Sequence, residues 1–443
     1  MKNDDVRRYL LDKKEDIKRL PVKGREINLP FTEAFIISLV GPRRAGKTYI
    51  MYDIIRNRQK LRDEEFIFVN FENAEISGIA ASGVKELINT HEQIYGRKPL
   101  YLFFDEIQAL KGWERAVNSL YESKRYRIFL SGSSSKVLSK EIATMLRGRS
   151  LAYLILPFSF SEFLAVQGIK AKTGYLSSSE ENMLKRSLRS YMSSGGFPDA
   201  VLSPETADKF YRDYLDLVVF KDIMERYKIK NPALVKFLMN SSLASFGKLL
   251  SLNNLFLAAK SAEMEASKNT LYVYNGCLEE SFFIFLIKKF SFSAKKSESS
   301  MPKLYLNDTG LKSIIKSPGE DAGRLYENIA FLHLKRMQAE RPLMDIFYYR
   351  IEPQDYEVDF VVTEKSKPKQ LIQVSVDVSG RKAEERELRA LITAGKELKC
   401  NNLLVLTESG EKEKNVSWFG IKKKVKFMPL WKWLLKGSKT IPA

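Results

Sequence analysis

The sequence predicts an α/β fold: a parallel sheet wrapped by helices, followed by two smaller domains. Three observations predict it. A glycine-rich loop, Gly41 to Thr48, lies between a buried-strand run and a helical run. Apolar strand runs then alternate with helical segments, the order that builds a parallel sheet with helices on both faces. After about residue 230 the rhythm changes to helix-helix-helix-strand-strand, and after about residue 318 to helix-strand-strand-strand. The expected domains are 1–230, 231–318 and 319–443.

The loop reads Gly41-Pro42-Arg43-Arg44-Ala45-Gly46-Lys47-Thr48, the complete G-x-x-x-x-G-K-[ST] phosphate-binding pattern. It follows the apolar run Phe35 to Val40 and precedes the helical Tyr49 to Ile55. Glycines let backbone N–H groups curl round phosphates, Lys47 supplies a point charge, and the Thr48 hydroxyl is placed to ligate Mg²⁺. The new helix points its positive end at the same anion, with Tyr49 on its first turn. ATP and Mg²⁺ are therefore the expected ligands.

A second half of the site stands downstream. Leu100 to Phe104 is a buried-strand run that ends in Asp105-Glu106, the Walker B pattern. Asp105 is expected to hold the metal shell and Glu106 to polarise water. An intervening strand, Glu65 to Phe71, ends in the polar cluster Asn70, Glu72 and Asn73. The run Arg127 to Ser134 places Ser131 at a strand tip, either as a reader of the γ-phosphate and water or as part of an ordinary turn. Arg147 and Arg149, around Gly148, are candidates to neutralise transition-state charge in their own subunit or the next; surface arginines on a loop are the alternative.

Flanking segments complete the first domain. Residues 1–25 carry an amphipathic pattern on Val6, Tyr9, Leu10, Ile17 and Leu20, suited to docking on a neighbour or partner. Leu156 to Phe163 suggests a strand leading into a helix. Ala171 to Glu181 is a polar interruption, and Ser194 to Pro198 a turn before the mostly helical residues 205–245.

Residues 232–310 have the rhythm of a winged helix. Pro232 starts one helix, Leu252 to Ser261 forms a second, and Ser267 caps a third. Strands are expected at Phe282 to Phe292 and Lys303 to Asn307, with Ala294 to Ser300 as the wing. Lys268, Asn269, Thr270 and Tyr272 suit a DNA groove, and Lys295 and Lys296 suit phosphates. A protein-interaction module fits the same pattern.

Composition narrows the class. The net charge of +19 favours a polyanionic partner such as nucleic acid over solubility alone. No apolar run reaches the roughly 18 to 20 residues that span a bilayer, and Met1 to Arg8 lacks a signal core, which points to the cytoplasm and no membrane. Two cysteines and two histidines exclude a disulfide framework and a His-rich metal site.

In the last third, Arg324 to Ala330 begins a helix, and Ile346 to Arg350, Glu357 to Val362 and Gln370 to Val376 read as strands. This order looks like the restriction-endonuclease-like PD-(D/E)xK core. Glu327 and Asp359 match its first two acidic positions, whereas Gln373 and Ser375 replace its acid and lysine. The resemblance implies a degenerate nuclease site, since a neutral amide is a poorer Mg²⁺ ligand and serine cannot orient water as an ammonium does. Lysines and Trp431 and Trp433 close the chain, as a docked core element in preference to a stacking surface.

Together these motifs resemble the archaeal AAA-type ATPases that carry a C-terminal nuclease-like domain of unknown function. The resemblance covers about residues 25 to 435. It implies an AAA+ P-loop NTPase core, a winged-helix domain and a nuclease-like domain, and leaves room for a homo-oligomer such as a hexameric ring. The expected activity is ATP hydrolysis coupled to DNA remodelling or translocation. A signal-transducing switch acting on a protein partner is the alternative.

Overall fold

The structure is a computed structural model that describes residues 3–76, 78–133, 148–170, 174, 176–315, 322–352, 356–376 and 381–436. The chain divides into two compact units: Met1–Leu156 with Glu280–Phe282, and Pro157–Glu279 with Phe283–Ala443.

The first unit opens with helix α1 (Asn3–Arg19). Its apolar positions fall every three or four residues, so Val6, Tyr9, Leu10 and Ile17 share one buried face. That face docks within the unit: the Tyr9 hydroxyl accepts the Asn70 N–H at 2.9 Å, and Ile17 joins the core beneath the sheet. There follow β1 (Ile36–Val40), α2 (Lys47–Asp53), β2 (Phe66–Asn70), α3 (Gly83–Tyr95), β3 (Tyr101–Asp105), α4 (Trp113–Glu122), β4 (Arg127–Gly132) and β5 (Ser150–Leu154).

All five strands are parallel, in the order β2-β3-β4-β1-β5. The inner strands β1, β3 and β4 are buried on both faces, as in parallel sheets covered on both sides, and Phe103 and Phe129 stack on adjacent strands at 5.1 Å. Strand β1 lies inside the sheet between β4 and β5, and the loop after Val40 emerges at the carboxyl edge of the strands. Ligands of open α/β sheets bind at that crevice.

The second unit begins with helices α5 (Phe160–Val166), α6 (Ser178–Ser194), α7 (Pro198–Leu202) and α8 (Ala207–Leu217), the last continuing as a wider helix through Val218–Glu225. Capping boxes Ser159/Glu162 and Ser177/Glu180 start α5 and α6. The cap at Ser177 moves the end of the expected polar interruption into a helix. The Ser194–Pro198 turn is latched by buried Asp308, which accepts from Gly196 N at 2.7 Å, Gly310 N at 2.8 Å and the Tyr211 hydroxyl at 2.7 Å.

Three helices follow, α9 (Pro232–Ser245), α10 (Leu252–Ser261) and α11 (Lys268–Glu280), then β6 (Ile284–Ile287), the short helix α12 (Ala294–Glu298) and β7 (Lys303–Leu306). Strands β6 and β7 pair antiparallel, and Leu249 adds a third, single-bridge rung to Lys303. Two expectations need correction. The strand expected over Phe282 to Phe292 is shorter, because the chain leaves β7 after Ile287: Phe290 N donates to Tyr348 O at 2.7 Å. The expected wing at Ala294 to Ser300 is not an open loop, since Ser293 caps a helical turn there through the Lys296 N–H. Ser267 does cap α11, accepting from Thr270 N at 3.0 Å.

The chain ends in α13 (Ala322–Glu340), β8 (Met344–Ile351), β9 (Tyr356–Glu364), β10 (Lys367–Val374), α14 (Arg381–Glu397), β11 (Leu403–Thr407), β12 (Lys412–Trp418), β13 (Ile421–Pro429) and α15 (Leu430–Leu434). The sheet order is β12-β13-β11-β10-β9-β8, with β10, β11 and β13 parallel and the other pairs antiparallel. Trp431 and Trp433 are buried, and Trp433 packs edge-on against His333. Among the described residues no helix is long and apolar enough to cross a membrane.

Candidate functional site: a phosphate loop and a buried acidic cluster

The loop leaves β1 at Gly41 with φ of 150°, where a Cβ would lie 2.0 Å from the Ile155 carbonyl oxygen. Only glycine fits that approach. Gly46, at φ 92° and ψ 20°, is left-handed at the cap of α2, turning the loop's N–H groups inward before the helix begins. Arg25 braces the loop from behind, donating to Ala45 O at 2.8 Å and Leu156 O at 2.7 Å. Arg43 pairs with Glu72 through two bonds, each 2.9 Å. Arg44 takes a positive φ, and Tyr49 is partly exposed on α2.

Lys47 is buried, and its ammonium rests on the loop's own carbonyls, Gly41 O at 3.0 Å and Pro42 O at 2.8 Å. Those carbonyls hold the charge at the mouth of the loop.

Asp105 is the hub. At the end of β3 it is fully buried; its Oδ2 accepts from Thr48 Oγ1 at 2.8 Å and Asn70 Nδ2 at 3.1 Å, and its Oδ1 accepts from Ser131 Oγ. Burial, then the neighbouring Glu106 charge, pushes its carboxyl up to about 6. Ser131 Oγ also accepts the Glu106 N–H at 3.1 Å, so one hydroxyl ties both acids together. Glu106 adopts φ 48° and ψ 49°, a left-handed conformation costly for a residue with a Cβ. Its carboxylate accepts from Gln108 Nε2 at 2.5 Å. Thr48, Asp105, Glu106 and Ser131 thus come together.

The arginines do not join them. Arg149 lies just before β5, at the end of the sheet where strands enter, because its carbonyl pairs with Ile36 N at the start of β1. Its side chain bonds Glu122 at 2.9 Å and covers the Tyr121 ring. A role for Arg149 in its own subunit is therefore corrected: parallel strands put the loop at the opposite edge. Arg147 lies outside the described residues.

In the second unit, Glu327 and Asp359 come together with two residues the sequence pattern did not single out, Gln373 lies opposite Asp359 on the next strand, and Ser375 follows two residues on. Lys303 Nζ stands 2.7 Å from Glu327 Oε1, 2.6 Å from Glu357 Oε1 and 3.3 Å from Asp359 Oδ1. Burial opposes the Lys303 charge, but the Glu327, Asp359 and Glu357 carboxylates hold its ammonium above the usual lysine range. Burial, then Glu327, pushes Asp359 up to about 8. Asp359 Oδ2 accepts from Val374 N at 2.8 Å, and Ser375 bonds Glu387.

These features meet clear relatives. Residues 33–164 match the family described as AAA domain, residues 185–318 a Domain of unknown function (DUF8612), and residues 322–432 a Domain of unknown function (DUF4143). Over 433 residues the chain is 34% identical to Uncharacterized protein MJ1544 of Methanocaldococcus jannaschii, covering 96% of this chain and 94% of that protein. The chain belongs to the MJ1544 family.

Residues 33–164 of this family member therefore form an AAA-type ATPase domain, and both Asp105 and Thr48 lie within it. An uncharacterized protein of Haemophilus influenzae is 28% identical over 308 residues, 68% of this chain and 74% of that one. Among solved structures, the Walker-type ATPase PABY2304 of Pyrococcus abyssi aligns at 15% identity and TM-score 0.40, covering 67% of this chain and 99% of that one. The Aeropyrum pernix ORC1 protein in complex with DNA aligns at 12% identity and TM-score 0.30, covering 69% and 88%.

Sequence reasoning placed Asn70 in a polar cluster at a strand end but gave it no role; its position beside β3 is the signal. Lys303 had a plainer one, a lone lysine opening the strand Lys303-Leu304-Tyr305-Leu306.

Proposed function

We propose that the first unit binds and hydrolyses ATP with Mg²⁺, and that turnover drives DNA remodelling or translocation by the remainder of the chain. The observation that carries the nucleotide reading is the convergence of Thr48, Asn70 and Ser131 on Asp105 beside Glu106, at the edge where the Gly41–Thr48 loop opens. The residues fit the ligands: a loop only glycine can close, a buried ammonium, and a hydroxyl and carboxylate that are hard oxygen donors. Bound Mg²⁺ would neutralise phosphate charge, with Thr48 and Asp105 holding it.

The chain's own residues do the rest. Loop N–H groups and Lys47 bind the phosphates, Lys47 exchanging its carbonyl partners for phosphate oxygens. Glu106 orients the attacking water and takes its proton. Ser131 fixes where Glu106 starts from. Arg149 is left for a neighbouring subunit in a homo-oligomeric ring, and Arg147 for its own subunit or the next.

DNA as partner rests on the net charge of +19 and on α11, whose Lys268, Asn269 and Tyr272 are exposed on a capped helix beside a short hairpin. On this reading residues 231–318 act as a winged helix, and residues 319–443 as a nuclease-like domain lacking nuclease chemistry, because Gln373 and Ser375 supply neither the acid nor the ammonium.

A second reading, a slow nucleotide switch acting on a protein partner, is favoured by the Gln108 side chain that engages Glu106. Steady-state ATPase rates with double-stranded, branched and single-stranded DNA separate the two. DNA-stimulated turnover supports the motor; slow, DNA-independent turnover with a nucleotide-dependent oligomer size supports the switch.

A further inference from the structure

Lys303 sits on β7, inside the segment that matches one family, yet its ammonium ends among carboxylates of the next. Lys303, Glu327 and Asp359 are 3%, 9% and 7% exposed, so these charges have left water. An ammonium has three N–H donors, and its three neighbours here are Glu327, Glu357 and Asp359. None remains for Gln373. The Gln373 Oε1 atom is buried with no partner, in a residue only 7% exposed. Ile372 pairs with Phe360 across β10 and β9, so Gln373 falls opposite Asp359 one step on.

Charge and donor count both point the same way. Three carboxyl groups face one ammonium, and a carboxamide oxygen on the neighbouring strand has no hydrogen-bond partner. A hard divalent cation matches that set better than an ammonium, since it takes oxygen ligands in larger number and carries two charges. The Lys303–oxygen distances of 2.6 to 3.3 Å are those of an ion pair; a Mg²⁺–oxygen bond is about 2.1 Å. Among the described residues no group of three or more His, Cys, Asp or Glu could hold a metal ion with Lys303 in place.

We propose that Lys303 is a built-in counter-cation occupying a latent divalent-cation site formed by Glu327, Glu357, Asp359 and Gln373, and that it keeps this site free of metal. Displacing the lysine uncovers a site for Mg²⁺ or Mn²⁺. The inference rests on the reading of the terminal domain as lacking nuclease chemistry, and it is independent of the nucleotide site.

The test uses the full, nucleotide-free chain and Mn²⁺ as probe, with calorimetry and electron paramagnetic resonance. The wild-type chain takes up no Mn²⁺ that depends on Asp359. Lys303→Met gains one Mn²⁺ site at least about tenfold tighter than any in the wild type, and adding Asp359→Asn abolishes the gain. If Lys303→Met is unfolded without metal, Mn²⁺ restores its circular dichroism and its unfolding transition. Asp359-dependent Mn²⁺ binding by the wild type, no gain in a folded Lys303→Met, or no rescue of an unfolded one overturns the inference. Mn²⁺-dependent DNA cleavage by the wild type overturns instead the reading beneath it.

Discussion

Thr48 Oγ1 donates to Asp105 Oδ2 at 2.8 Å, which joins the first turn of α2 to the end of β3. Two residues 57 apart in sequence thereby define the point where a metal-bound phosphate would sit. On the proposed reading neither the loop nor the strand end makes a hydrolytic centre alone; their meeting does.

Lys47→Ala is expected to weaken nucleotide binding by about tenfold to a hundredfold, the range for losing a charge-assisted hydrogen bond. Its ammonium bonds the loop's own Gly41 and Pro42 carbonyls and joins no distant element through them, so the fold should keep its unfolding transition. Titration with a fluorescent ATP analogue checks the first expectation and thermal unfolding the second.

Ser131→Ala separates position from binding. Its hydroxyl bridges Asp105 and the Glu106 N–H, so its removal should lower turnover about tenfold or more while leaving nucleotide affinity within about threefold. Michaelis curves for the two proteins read the split directly.

How much of this was legible in the sequence varies by element. Gly41 to Thr48 and Asp105-Glu106 could be read because phosphate chemistry imposes residue types at fixed local spacing. Asn70 and Lys303 could not be assigned, because their partners lie 35 and 56 residues away and only the folded sheets bring them together. The alternatives open for Arg149 could not be separated for a related reason: local sequence does not say at which edge of a parallel sheet a residue sits. The α1 face of Val6, Tyr9, Leu10 and Ile17 was visible, but not that its dock is the chain's own sheet.

Stability of the second unit should depend on pH through Asp308. Burial raises its carboxyl from 3.8 to about 6 despite three accepted hydrogen bonds. Between those values the folded state keeps a proton that the unfolded state has lost. Stability therefore falls as pH rises from about 4 to about 6, by up to about 3 kcal/mol, and this part is flat above. Denaturant unfolding across that range should show the decline in the wild type and a shallower one in Asp308→Asn.

Lys268→Glu with Tyr272→Ala should weaken DNA binding and reduce the slope of log affinity against log salt by about 1 for each phosphate no longer neutralised. Both residues are exposed on α11, so the fold should be unaffected. Anisotropy titrations at several salt concentrations measure both quantities. An unchanged affinity and slope would remove α11 from the interface.

The most direct test is steady-state ATP turnover by the wild type and Glu106→Gln, each with and without double-stranded, branched and single-stranded DNA. Mg²⁺-dependent hydrolysis stimulated by DNA is expected in the wild type, and a drop of about a hundredfold or more in Glu106→Gln with ATP binding retained. Turnover that survives Glu106→Gln would contradict the assigned hydrolytic centre. Wild-type turnover indifferent to every DNA, with no DNA bound at low salt, would contradict the assigned partner.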